Sequence, residues 1–158
     1  MTQKKKILVL SDHPLSPSGV GTQTRYFIEA LLKTGRYQFV CLGGAMKHNS
    51  YDPIKVEPWG EDWLIFPVDG YGSHEIIRSV LQKEKPDALW FMTDPRFYGW
   101  LWEIENEVRS HIPMIYYCKT LLNYCIKRYT ILKISGTLRT GSHVSDVRLD
   151  TQKNVHEE

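Results

Sequence analysis

The chain has 158 residues, 42% hydrophobic and 24% charged, which suits a single domain at about 100–200 residues each and leaves enough apolar surface for a real core. A net charge of +2 is too small to argue for nucleic acid as a partner, and the recurring apolar runs exclude disorder over most of the length. The four apolar residues Ile7 to Leu10 behind Lys4-Lys5-Lys6 are too short for a signal peptide, and a membrane span needs about 20.

In chain order, Ile7-Leu8-Val9-Leu10 is a run apolar on both faces, as expected of a central parallel strand. Pro14 to Thr22, rich in Pro, Ser and Gly, predicts a loop. A helix is expected from about 22 to 34, where Phe27, Ala30 and Leu31 recur at helical spacing and Gly35 supplies a stop. Tyr37 to Leu42 reads as a second strand, ended by Gly43-Gly44. Residues 45 to 61 show little periodicity and hold two prolines, so an irregular excursion is expected there. Trp63 to Val68 is the third strand. Ser73 is suited to cap a helix carrying Ile76, Ile77, Val80 and Leu81 on one side, halted at Pro86. Ala88 to Met92 is the fourth strand. Asp94-Pro95 then predicts a helix start, and Phe97, Leu101, Ile104 and Val108 mark its apolar stripe. Ile112 and Met114 to Tyr117 complete a fifth strand.

Strands alternating with helices predict an α/β fold with a doubly wound, mostly parallel, Rossmann-like sheet. Right-handed crossovers would open every strand's carboxyl end on one edge, where ligands of such sheets bind. That edge would carry Asp12-His13, Gly43-Gly44, Asp69-Gly70-Tyr71-Gly72, Thr93-Asp94-Pro95 and Cys118-Lys119.

The most specific candidate is Ser18-Gly19-Val20-Gly21-Thr22, between the first strand and the first helix. Glycines there let backbone approach a ligand closely. The amino end of the following helix favours a phosphate or carboxylate oxygen or a sugar hydroxyl. The plainer reading is a flexible turn. The loop is too long for a dinucleotide fingerprint, and no Gly-Lys-Ser/Thr follows as a P-loop would need. Asp94 is either a helix cap or, with Arg96 and Tyr98, a ligand contact. His13 and His74 are candidate hydrogen-bond donors or proton acceptors in edge loops. Trp90, Trp100 and Trp102 read as core or helix-contact residues. No metal is expected, because the histidines lack ligand spacing and the cysteines are scattered. Cys41, Cys118 and Cys125, odd in number and without a Cys-x-x-Cys pair, read as reduced thiols, so a cytoplasmic protein is expected.

Lys5-Lys6-Ile7-Leu8-Val9-Leu10, then Ser18-Gly19-Val20-Gly21, then Phe27-Ile28-Glu29-Ala30-Leu31 together resemble the start of a GT-B glycosyltransferase of the retaining, family-four type. Thr93-Asp94-Pro95-Arg96 adds to the likeness, which covers about residues 4 to 117. The resemblance implies the amino-terminal, acceptor-side half of an enzyme that moves a sugar from a nucleotide-sugar donor to a hydroxyl acceptor. It implies that Gly19 and Gly21 lie against donor phosphate or sugar, and that no metal or other cofactor is needed. Two departures stand out. The strand ending Tyr116-Tyr117-Cys118-Lys119-Thr120 lacks the cleft histidine usual in this type, and the donor domain is missing.

Residues 4 to 120 are therefore expected to form the Rossmann-like domain, and 121 to 158 an atypical tail. Leu121 to Ile134 is basic and apolar without clean period, and the chain turns polar from Gly136. A frameshift or premature end of the reading frame would account for this tail, as would partial disorder. A genuine sixth strand with a flexible tail is the rival reading. Activity of the chain alone is expected to be slight or nil. Two other functions fit the same pattern: a non-catalytic flavodoxin-like binding or regulatory module using Asp12, Asp69 and Lys119, and half of a nucleotide-sugar epimerase.

Overall fold

The computed structural model describes residues 3–117. Strand β1 (Lys5–Asp12) carries Leu8, Val9 and Leu10, all fully buried, because it lies between two parallel neighbours with helices over both faces. The neighbours are β2 (Tyr37–Gly44) and β5 (Ala88–Met92), and they too are apolar on both sides. Sequestering each such side chain contributes about 1.5–3 kcal/mol relative to leaving it in water. β4 (Gly60–Pro67) pairs parallel with β2, and β6 (Met114–Tyr117) pairs parallel with β5. A short edge strand, β3 (Ile54–Val56), runs antiparallel to β4. The six strands lie in the order β3-β4-β2-β1-β5-β6.

Helix α1 (Gly19–Leu32) follows β1, and α2 (His74–Glu84) follows β4. A 3₁₀ turn (Pro95–Tyr98), α3 (Gly99–Glu103) and α4 (Glu105–His111) join β5 to β6. From β1 the chain steps one way to β2; from β4 and β5 it steps the other way. Crossovers of one hand must then place their helices on opposite faces. The two apolar clusters obey this. Ile28 and Leu32 of α1 pack with Val9, Phe39 and Trp63, whereas Ile77, Leu101 and Val108 of α2, α3 and α4 pack with Leu8, Leu10 and Phe91. The chain is thus an α/β protein with a mostly parallel sheet, compatible with a Rossmann-like fold.

Four expectations need correction. Gly19 to Thr22 do not belong to the loop but form the first turn of α1, because the Ser18 side chain caps it and accepts from Gly21 N at 2.8 Å. One good cap outweighs the modest propensity cost of two glycines. The buried stripe of α1 is Gly21, Thr24, Ile28 and Leu32, not Phe27, Ala30 and Leu31. Residues 45 to 61 are not wholly irregular. β3 sits within them and β4 opens at Gly60, but a three-residue strand is too short to display a period of two. The helix expected after Asp94 is broken in three. Tyr98 is buried with its hydroxyl on the Met92 carbonyl at 3.1 Å, Trp102 Nε1 donates to the Pro95 carbonyl at 3.3 Å, and Ile104 leaves the helical region with φ −114°. Those contacts turn Phe97 outward, so the inner stripe is Tyr98, Leu101 and Val108. Cys118-Lys119, the rival sixth strand and the tail fall outside the described residues.

Candidate functional site

The strand order reverses direction at β1: the chain leaves it toward β2 on one side, and β5 flanks it on the other. In open parallel sheets the crevice at such a reversal, outside the strands' carboxyl ends, is where ligands sit. Here it lies between Asp12-His13 at the end of β1 and Thr93-Asp94 at the end of β5, with the amino end of α1 alongside.

At the centre is Asp12, only 8% exposed. Its Oδ2 accepts from Ser18 Oγ at 2.7 Å, while its Oδ1 accepts from Tyr71 Oη at 3.1 Å and, at a long 3.4 Å, from Thr93 Oγ1. These donors come from the α1 cap, the segment after β4 and the end of β5, so one carboxyl group ties three strand ends together. Partial burial, with Asp12 adding to it, pushes the Tyr71 phenol up to about 12, so Tyr71 remains a donor at neutral pH. Ser18 is a relay: it donates to Asp12 while accepting from Gly21 N. Thr22 N is bonded to the Ser18 carbonyl, and the N–H groups of Gly19 and Val20 have no acceptor among the described residues, as expected at a helix start. Thr93 has φ 131°, a left-handed value rare for a β-branched residue, and its carbonyl accepts from Tyr116 Oη at 2.8 Å.

The two glycines of the loop motif have different surroundings. Gly21 is buried, and a Cβ there would lie 2.5 Å from the His13 carbonyl oxygen, so its lack of a side chain lets α1 seat against the end of β1. Gly19 faces open space. Gly44 is also a close-approach position, because a Cβ would overlap the Gly70 backbone carbonyl, which accepts from Ala45 N at 3.0 Å.

His13 is buried over Gly43, and its Nδ1 accepts from Leu15 N at 3.2 Å. That bond requires the neutral ring, with its proton on Nε2. Burial first, and then the His48 ring 5.7 Å away, hold its pKa below the ordinary histidine value. Asp94 caps the turn that follows, accepting from Arg96 N at 2.9 Å. The Arg96 guanidinium closes on the same carboxylate, with Nη2 at 2.5 Å from Oδ2, which lowers the Asp94 pKa. Phe97 stacks on Tyr71 at 4.6 Å between ring centres and is 48% exposed.

The structure therefore brings His13, Ser18 to Thr22, Asp94 and Arg96 to one rim. His74 is elsewhere, its Nε2 against the Trp100 carbonyl at 2.7 Å and the Glu103 carboxylate at 3.2 Å. Asp12, Tyr71 and Thr93 are readable in the sequence as edge residues, but their convergence is not. The only sequence signal for Asp12 is an acid directly behind a buried apolar strand. A carboxylate surrounded by hydroxyl donors and unused amides is suited to receiving and orienting the hydroxyl groups of a ligand.

No protein family, curated protein or solved structure matches the chain. Among the described residues, no helix is long and apolar enough to cross a membrane, and no group of three or more His, Cys, Asp or Glu side chains is placed to hold a metal ion.

Proposed function

We propose that this domain is the acceptor-side half of a GT-B-type glycosyltransferase. In this reading a hydroxyl-bearing acceptor sits in the crevice between β1 and β5, and the nucleotide-sugar donor is held mainly by a second domain. The observation that carries the reading is the Asp12 network. It places a carboxyl group, three hydroxyls and the amino end of α1 at the one position of the sheet where strand order reverses. The sequence likeness over residues 4 to 117 supplies the chemistry, sugar transfer to a hydroxyl, in which oriented dipoles near Gly19 to Thr22 favour the departing diphosphate. The doubly wound half of a GT-B fold is the architecture this reading requires. Taken alone, the parallel strands in chain order run 3-2-1-4-5, which is the Rossmann arrangement and not the 2-1-3-4-5 of a flavodoxin-like regulatory module.

Saturation-transfer NMR of the full chain against neutral mono- and disaccharides tests the binding side, with Asp12→Asn as the control. Loss of a hydrogen bond to a charged group costs about 1.5–3 kcal/mol, so the variant is expected to bind more than about tenfold more weakly. Assay of the same protein with nucleotide-sugars is expected to show little or no turnover. Saccharide binding that ignores Asp12→Asn overturns the assigned site. Turnover at the rate of a two-domain enzyme overturns the assignment as a half.

A further inference from the structure

One residue of the crevice holds a backbone shape that its own side chain resists. Thr93, at φ 131°, lies in a region open to glycine and strained for a β-branched residue. The chain turns sharply there. Met92 is the last residue of β5, and Pro95 confines Asp94 to an extended conformation, found at φ −67° and ψ 125°. Strain of this kind persists only where the surroundings over-determine the backbone. Two tyrosines supply that constraint. Tyr98 donates to the Met92 carbonyl at 3.1 Å and Tyr116 to the Thr93 carbonyl at 2.8 Å, so two successive carbonyls are pinned as the chain leaves β5. Both rings pack on the buried Phe91, Tyr98 edge-on at 5.5 Å and Tyr116 tilted at 4.9 Å between centres. Tyr116 is the β6 partner of Phe91 in register, and its hydroxyl reaches two residues farther, past the end of β5.

What the strain secures is the place of the Thr93 hydroxyl, beside the Tyr71 phenol and Asp12. Within the chain that place contributes little stability. The bond to Asp12 Oδ1 is 3.4 Å long, against about 2.7–2.8 Å for an ordinary hydroxyl donor, and the Tyr71 hydroxyl already donates to the same oxygen. A ligand hydroxyl that donates to Asp12 and accepts from Thr93 Oγ1 uses both groups fully. We propose that Tyr116 is a positioning residue of the crevice, holding strained Thr93 so that the Thr93 hydroxyl and the Asp12 carboxylate receive one ligand hydroxyl between them. This role rests on the saccharide-binding reading above and adds to it the side chain that fixes the geometry.

Saturation-transfer NMR of the full chain with the same neutral mono- and disaccharides tests it, beside urea unfolding. Loss of one neutral hydrogen bond weakens binding about fivefold, so Tyr116→Phe and Thr93→Gly are each expected to bind that much more weakly. Their effects should not add: once the Thr93 hydroxyl is gone, Tyr116→Phe costs no further affinity, which a purely structural role for Tyr116 does not predict. Unfolding tests the strain without any ligand. Thr93→Gly and Thr93→Ala both lack the hydroxyl, and the glycine variant is expected to have the higher urea midpoint, the reverse of their order at an ordinary position. That comparison stands even if Tyr116→Phe fails to fold. A higher midpoint for Thr93→Ala overturns the strain, and saccharide binding that ignores a folded Tyr116→Phe, or additive losses in the double variant, overturns the positioning role alone. Wild-type protein that binds none of the saccharides overturns the reading beneath it and the role together.

Discussion

At the amino ends of the strands, Lys4, Lys5 and Lys6 each meet an acid, Asp62, Asp87 and Glu84, in ion pairs at or near the surface. At the carboxyl ends, Asp12 is buried and meets hydroxyls, with no cation at ion-pair distance among the described residues. The amino end thus has its charges paired one to one at or near the surface, whereas at the carboxyl end the Asp12 charge is held by neutral donors while Asp94 is paired with Arg96. Exposed pairs gain little, because water screens them and ordering long side chains offsets the attraction. A carboxylate among hydroxyls keeps unfilled acceptor capacity, which the paired acids of the amino end lack.

Substitutions separate the two ends, and the largest effect is expected where the carboxyl end leaves no room for a side chain. Gly44→Val forces a branched side chain into the Gly70 carbonyl and should cost about 3 kcal/mol or more in urea unfolding; a fall under 1 kcal/mol would show that the loop after β4 can move aside. Asp12→Ala strands the Ser18, Tyr71 and Thr93 hydroxyls and is expected to cost about 1–3 kcal/mol by the same measurement. An unchanged midpoint would place Asp12 on a level with the surface pairs.

The third prediction concerns pH. His13 has its pKa depressed in the folded state, so the unfolded chain takes up a proton first as pH falls. Stability attached to this ring is complete above the unfolded value of about 6.5 and declines as pH drops from there through the folded value. His13→Asn, whose side-chain oxygen can still accept from Leu15 N, should unfold with a shallower pH dependence below that point. Parallel wild-type and variant curves would contradict it. The smallest effect belongs to the amino end: Lys5→Ala should change stability by about 0.5 kcal/mol or less, and a loss above 1 kcal/mol would erase the contrast between the ends.

Much of this architecture is legible in the sequence. The buried strands β1, β2 and β5 are continuous apolar runs, and a parallel strand covered on both faces needs just that pattern. Ser73 and Asp94 announced their helix starts, because a cap is a local event between a side chain and amides two or three residues ahead. Ser18 was equally present, but the glycines behind it favoured a loop reading, and the Ser18 bond to Gly21 N settled the start of α1. The rotation of α1 that buries Ile28 and leaves Phe27 exposed agrees with Gly21 seating on the His13 carbonyl and with the Ser11–Thr24 hydroxyl contact at 2.6 Å, whose partners His13 and Ser11 lie on another element.

By itself the sequence determined the alternation of strands and helices, and hence an α/β sheet with a polar, glycine-rich rim, since hydrophobic period and capping act over a few residues. Tertiary structure alone decided the strand order, the splitting of the segment after Asp94, and the meeting of Asp12, Ser18, Tyr71 and Thr93. The reason is distance along the chain: those four residues span 81 positions from Asp12 to Thr93, and only the pairing of β1 with β2 and β5 brings them within reach of one carboxyl group.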